Sequence, residues 1–383
     1  MPTFPTLEGE HITALENISG AILEVFRDRG YARIQPSILQ PASLFVDRSG
    51  EELRQKTFET TDPAGNELCL RPDLTIPVCK WQVDAARPYP ARLCYRGPTF
   101  RYRADAEPMQ FAQAGAELLG ETNREWADKE MLSLAVEALR AVSIKGTQMI
   151  VGDLRMFATF VDALDVPEQW RGRLKRNFWR TGYFEALLER MVAGAANEAE
   201  RAIEDLHALK PNELRPAIDA LLDKETDAPL AGRTREDIVN RLTMQASDGS
   251  SPRLKQSVAD MILKFLSIRG PAADALETIR KISKPVFMTM EKPIKAMEQR
   301  LTILEKLGIP ANRISFVGHF GRNLEYYTGF VFEFWAKTGG GALEVAGGGR
   351  YDTLMETLGA PRGTTAVGCA LSPDKILAVR GGK

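Results

Sequence analysis

Cysteine is scarce in this chain, and the four present, Cys69, Cys79, Cys94 and Cys369, form no Cys-x-x-Cys pair. That speaks against a disulfide framework or a thiolate metal site and leaves buried thiols of a reducing compartment. Histidine is scarcer still. His11, His207 and His319 lie too far apart in sequence to suggest a metal centre, so no metal is expected. No stretch approaches the roughly 20 apolar residues of a membrane helix. The N-terminus, MPTFPTLEGEHITAL, lacks a basic segment followed by an apolar run. No membrane partner and a cytoplasmic location are the expectations. Neither sign of charge dominates: 50 Lys and Arg against 51 Asp and Glu give a formal net charge of −1. This removes a global electrostatic case for nucleic acid and leaves only local basic patches. What remains is a 383-residue chain, 44% hydrophobic and 26% charged, which fits an ordinary globular protein of two or three domains.

The most informative stretch runs from 313 to 352, RISFVGHFGRNLEYYTGFVFEFWAKTGGGALEVAGGGRYD. By alternation, Tyr327, Gly329, Val331, Glu333 and Trp335 point one way and Tyr326, Thr328, Phe330, Phe332 and Phe334 the other. Both faces are rich in aromatic and β-branched residues, which predicts an interior strand. Lys337 to Gly341 reads as a hairpin turn and Ala342 to Ala346 as the returning strand, ending in Gly347-Gly348-Gly349-Arg350. Glycines at a strand end allow close approach of a small ligand, and Arg350 and Arg322 offer planar donors for an anion. A pocket for a small anionic or zwitterionic molecule is one reading, and a Gly-rich turn with a surface Arg is the other.

Earlier in the chain, apolar residues from Ile12 to Phe26 recur three or four apart and stop at Gly30, predicting an amphipathic helix over 8–29. Tyr31 to Leu39 reads as a strand broken at Pro36. Residues 51–69 read as a charged segment and a hairpin around Asp62-Pro63-Ala64-Gly65. Leu70-Arg71-Pro72-Asp73-Leu74-Thr75 opens a helix, where Asp73 either caps backbone amides or holds an amine. Arg92 to Arg103 and Pro108 to Gly120 read as an antiparallel hairpin. On its second strand Phe111, Gln113, Gly115 and Glu117 share a face, with Gly115 leaving a gap suited to a small ligand with two polar ends; a solvated face is the alternative. Trp126 to Ala141 reads as a helix, Thr147 to Val151 as a strand, and the chain to about 307 as helices broken at Pro211, Pro229, Gly249 to Pro252 and Gly270-Pro271. The basic cluster Arg171, Arg173, Lys175, Arg176 and Arg180 is interleaved with Leu174, Phe178 and Trp179, which favours a solvated helix face over a nucleic-acid surface. Thr364 to Leu371 reads as a strand, and Ser372-Pro373-Asp374-Lys375 as the start of a last helix.

These stretches resemble the catalytic core of class II aminoacyl-tRNA synthetases, most closely the histidyl-tRNA synthetase family. Leu70 to Thr75 looks like its LRPEGT segment; Phe100-Arg101-Tyr102-Arg103 with Gln110 to Gly120 looks like motif 2. Arg322 to Gly329 resembles RGLDYYTG, Gly348 to Asp352 matches GGRYD, and Val367 to Ile376 aligns with motif 3. The resemblance implies an α+β fold, a class II synthetase-like antiparallel sheet flanked by helices with a helical insert. It places residues 1–165 and 290–383 in the core and 166–289 in the insertion. It also implies a histidine site: Asp73, Thr75 and Gln113 for the amino group, Glu117 and Tyr327 for the imidazole with Tyr326 beside them, and Arg322 for the carboxylate. Arg101 matches the arginine that grips a phosphate of ATP or the amino-acid carboxylate.

Departures from that pattern are specific. Arg103 stands where a glutamate usually reads adenine, the motif 2 loop is about two residues short, Lys375 replaces the arginine that stacks on adenine, and Pro36 sits one position early in motif 1. The chain also ends after motif 3, before the place of an anticodon-binding domain. This combination is similar to the ATP phosphoribosyltransferase regulatory subunits, a family of synthetase paralogues. The likeness implies a non-catalytic subunit that binds L-histidine and mediates activation and feedback inhibition of a short-form catalytic subunit in histidine biosynthesis. It further implies a homodimer within a hetero-octamer, no cofactor and no tRNA. A truncated enzyme that activates histidine with ATP is the alternative.

Overall fold

The computed structural model describes residues 6–46, 51–103, 108–178, 181–193, 215–218, 253–320 and 326–381. Contacts divide the chain into two compact units, 1–159 with 267–383, and 160–266.

The first unit begins with helix α1, Gly9–Asp28, which buries Ile18, Ile22 and Phe26 and ends before Gly30, whose φ of 81° only glycine adopts easily. Strands β1 (Ala32–Arg33) and β2 (Leu39–Pro41) flank Pro36, as the proline predicts. β3 (Phe58–Thr61) and β4 (Glu67–Leu70) form the expected hairpin, its turn held by the Asp62 carboxylate, which accepts from the amides of Ala64 and Asn66 at 2.9 Å each. With β2 they make a three-stranded sheet, β2-β4-β3. Helix α2 (Thr75–Asp84) leads to the long hairpin β5 (Ala91–Phe100) and β6 (Gln110–Leu119), then to helix α3 (Arg124–Ala141), capped at Asn123, and strand β7 (Gln148–Asp153).

The chain returns to this unit with β8 (Arg269–Pro271), which pairs with β9 (Ile314–Val317). Residues 267–289, which composition groups with the helical insert, therefore sit in the first unit; Gly270-Pro271 is an edge strand rather than a helix break. β10 (Phe330–Thr338), β11 (Gly341–Arg350) and β12 (Ala366–Leu371) complete a nine-stranded sheet of order β1-β5-β6-β12-β11-β10-β7-β9-β8. Its pairings are antiparallel except β1 with β5 and β7 with β9. β6, β12, β11 and β10 are interior strands, and both faces of β10 are buried, as its aromatic content predicts.

Two expectations change here. The strand of the 313–352 stretch begins at Phe330, so Tyr326 and Tyr327 precede it and escape its alternation: their rings lie together, centroids 4.9 Å apart. β11 is also longer than expected and carries Gly347, Gly348 and Gly349 inside the sheet. There Gly348 and Gly349 make room for protein, while Gly347 lines the cavity described below. A Cβ on Gly349 would meet the Phe330 carbonyl at 2.6 Å and the Tyr327 ring at 3.0 Å.

The second unit is helical. Leu174 and Phe178 from the 168–177 helix and its end, Phe184 and Leu188 from 181–193, and Ile262 and Phe265 from 256–266 are buried, with Phe160 stacked on Phe265 at 5.1 Å. Three members of the basic cluster have local uses: Lys175 pairs with Asp162 at 2.8 Å, Arg171 with Glu168 at 2.8 Å, and Arg173 lies 5.5 Å from the Trp170 ring centre. Arg180 and most of 194–252, including Pro211 and Pro229, lie outside the described residues. Among the described residues no helix is long and apolar enough to cross a membrane, and no group of His, Cys, Asp and Glu could hold a metal ion.

Candidate small-molecule pocket

Glu117 sits on an interior strand of the nine-stranded sheet, between Leu93 on β5 and Gly368 on β12. The site is possible because its neighbour is glycine: a Cβ on Gly368 would occupy the position of the Glu117 carboxylate. The carboxylate is 1% exposed, and each oxygen has a phenol. Tyr95 donates to Oε1 at 2.8 Å, and Tyr351 donates to Oε2. Behind them stand Thr75, 3.4 Å from the Tyr95 hydroxyl, and Cys79, whose thiol reaches the Tyr351 hydroxyl at 3.9 Å. Burial outweighs these hydrogen bonds and pushes the Glu117 carboxyl up to about 7.

The gap expected over Gly115 is filled. Four residues of strand separate Gln113 from Glu117 by roughly 13 Å, and Tyr95, opposite Gly115, lies where a side chain would go: its hydroxyl would be 2.5 Å from a Gly115 Cβ. The glycine serves the phenol, and the phenol serves Glu117. Tyr95 escaped the sequence reading because only the register of the β5–β6 hairpin puts it opposite Gly115.

Asp73 takes the capping role, and its second oxygen is held by a phenol. Oδ1 accepts from the Ile76 amide at 3.1 Å, capping α2, and Oδ2 accepts from the Tyr326 hydroxyl at 3.0 Å. Burial raises its carboxyl above the usual range, with Arg101 opposing the shift. Arg101 donates from Nε to the Pro72 carbonyl at 2.8 Å and lies 5.4 Å from the Phe111 ring centre, which Arg103 also approaches at 4.8 Å. Gln113 turns its Oε1 inward, inaccessible to solvent and without a hydrogen-bond donor. Tyr326 and Tyr327 pack edge-on to Tyr351, at 5.6 and 6.3 Å.

Thus Thr75, Arg101, Gln113, Glu117, Tyr326 and Tyr327 line one cavity, and Asp73 stands behind Tyr326. The cavity measures about 1480 Å³, above the roughly 300–1,000 Å³ usual for a small-molecule site; an amino acid fills only its inner end. That end offers acceptors, the Glu117 carboxyl and the Gln113 amide oxygen with the Asp73 carboxyl behind Tyr326, and Arg101 is among the cations of the lining. It suits a compact ligand with N–H donors at two places. Arg322 lies outside the described residues. Arg350 is not a ligand donor: its guanidinium is buried, held by Asp128 and Asp352. Lys375, on the last helix, lies 4.0 Å from Glu344.

Two solved structures share this fold. One, described as an ATP phosphoribosyltransferase regulatory subunit/histidyl-tRNA synthetase from Bacillus halodurans, superposes with a TM-score of 0.67 at 22% identity, covering 98% of this chain and 81% of that one. Apo histidyl-tRNA synthetase of S. aureus gives 0.57 at 21% identity, covering 100% and 74%. The architecture is that of the histidyl-tRNA synthetase-like class II folds. The family model described as histidyl-tRNA synthetase matches residues 6–248 and 218–376. A protein of Agrobacterium fabrum named ATP phosphoribosyltransferase regulatory subunit is 31% identical over 380 residues, covering 96% of this chain and 98% of its own length. The chain belongs to the family of ATP phosphoribosyltransferase regulatory subunits.

Proposed function

We propose that this chain is a non-catalytic regulatory subunit that binds L-histidine in the Glu117 pocket and passes that signal to a short-form ATP phosphoribosyltransferase catalytic subunit at the first step of histidine biosynthesis. The observation that carries the ligand is the Gln113 Oε1, a buried acceptor with no donor, in the same cavity as Glu117. Leaving such a group unpaired costs about 1–3 kcal/mol, which a ligand N–H recovers. On this reading Glu117 takes an imidazole N–H, Gln113 and Asp73 with Thr75 take the amino group, and Arg101 and Arg322 hold the carboxylate. Arg103 on the Phe111 ring and Lys375 beside Glu344 support loss of adenylate chemistry, since neither presents the groups that read and stack adenine in the synthetases. Regulation is then a coupling free energy between two sites, of roughly 1–3 kcal/mol for a useful response. The assembly that fits is a homodimer within a hetero-octamer.

Calorimetry of the purified chain tests the ligand. The expected result is micromolar binding of L-histidine, about −8 kcal/mol, abolished by Glu117→Ala, with no binding of ATP. Tight ATP binding together with pyrophosphate exchange would replace this reading with that of a histidine-activating enzyme.

A further inference from the structure

We propose that Asp128, which does not line the pocket, is a positioning residue for it: by holding the Arg350 guanidinium it fixes the strand end from which Tyr351 reaches Glu117. The ligand arm of this proposal rests on the histidine reading; the titration arm does not.

Arg350 and Tyr351 are neighbours at the end of β11, and alternation sends their side chains to opposite sides. On one side Arg350 grips helix α3. Asp128 Oδ1 accepts from its Nε at 3.1 Å and its Nη2 at 2.6 Å, a fork that fixes direction as well as distance. Arg350 Nη1 donates to Asp352 at 3.1 Å, and Asp352 in turn pairs with Arg124 at 2.8 Å and accepts from the Ala366 amide at 2.8 Å. Backbone bonds complete the clamp: Tyr351 N to Ala366 O at 2.9 Å, and Thr328 N to Arg350 O at 2.8 Å. On the other side Tyr351 meets Glu117 and Cys79.

Asp128 is also shared. Its Oδ2 accepts from Arg300 Nε at 2.9 Å and Nη2 at 2.7 Å, and Arg300 Nη1 donates to Asp153 at 3.1 Å. Three carboxylates, Asp128, Asp153 and Asp352, thus meet three guanidiniums, those of Arg124, Arg300 and Arg350. Desolvation makes such a cluster a poor source of stability compared with apolar packing. What it supplies is geometry, and the geometry it sets is that of residues 350–352. The other groups facing Glu117 are mounted elsewhere: Tyr95 on β5, Thr75 and Cys79 on α2, Asp73 just before α2, Cys369 on β12 and Tyr326 ahead of β10, so the phenol set directly on this clamp is that of Tyr351.

A double-mutant cycle with Asp128→Asn and Tyr351→Phe in the full chain tests the assignment. The first readout is the carboxyl carbon titration of Glu117 in the ligand-free protein, its signal identified by Glu117→Gln. Asp128→Asn is expected to raise that midpoint by about half a pH unit or more when Tyr351 is present, because a loosened phenol supports the carboxylate less, and not to raise it in the Tyr351→Phe background. The Coulombic effect of removing the Asp128 charge is common to both backgrounds and cancels. Equal shifts in both backgrounds, or none, overturn the proposal, since a general loosening of the fold ignores Tyr351. The second readout is L-histidine affinity, expected to fall about tenfold with Asp128→Asn and little further in the double variant; additive losses count against the proposal. If the unaltered chain binds no histidine, the ligand reading fails while the titration still decides Asp128. Should Asp128→Asn not fold, Arg350→Lys keeps the charge but loses the fork and is expected to shift the midpoint in the same direction by less. An unchanged midpoint there also overturns the proposal.

Discussion

Two buried carboxylates of the same unit, Glu117 and Asp128, are satisfied in opposite ways. Asp128, fully buried, receives two guanidinium forks. Glu117, 1% exposed, receives neutral hydroxyls, the phenols of Tyr95 and Tyr351 with Thr75 beside them, and the pocket next to it adds an unpaired amide oxygen. A carboxylate neutralised by arginines is closed to further partners and holds elements in place. One held by neutral donors keeps an unmet demand for positive charge, which burial expresses as a raised pKa. That difference separates architecture from binding more reliably than burial alone.

The comparison can be broken most severely at Asp128. Asp128→Ala strands two guanidiniums and should cost roughly 3–5 kcal/mol in chemical denaturation; a loss under 1 kcal/mol would mean that the forks are not formed. Next comes the pH dependence of Glu117. Its folded pKa, about 7, lies above its unfolded value, so the folded state favours the protonated form. That contribution is fully present below about pH 4.5 and is lost as pH rises through about 7, on the order of 3 kcal/mol in all. Glu117→Gln should remove this slope, making the variant gain on the parent between pH 5 and 8; parallel stability profiles would show that Glu117 ionises freely. Gly368→Ala sharpens the comparison from the side of space. Its methyl displaces the carboxylate, and a loss of roughly 1–3 kcal/mol with abolished histidine binding is expected from overpacking. The smallest effect belongs to an exposed carboxylate: breaking Lys175–Asp162 with Lys175→Ala should change stability by only about 0.2–1 kcal/mol, measured in the same denaturation series.

Much of this was legible in the residues. Alternation located β5, β6 and β10, the 3.6-residue period located α1 and α3, and turn chemistry located the Asp62 hairpin. The face shared by Gln113 and Glu117 was visible too, because side-chain direction along one strand needs no other part of the chain. What escaped depended on neighbours. Gly348 and Gly349 read as part of a ligand cradle until the register set them against Gly368 and Phe330, leaving Gly347 alone of the three in the cavity lining. Tyr326 and Tyr327 read as opposite faces of a strand that in fact starts only at Phe330. Arg350 read as an anion donor, correctly in its chemistry, but the anions are the protein's own Asp128 and Asp352.

By itself, then, the sequence determined most of the elements, the family and the acidic and amide groups of the pocket, all of which rest on local pattern. Tertiary structure decided which partner each charge received. Glu117 finds Tyr351 across 234 residues of chain, Arg350 finds Asp128 across 222, and Tyr326 finds Asp73 across 253. Over such separations no local period relates two side chains, and only the order and register of the sheet strands bring one carboxylate to phenols and the other to guanidiniums.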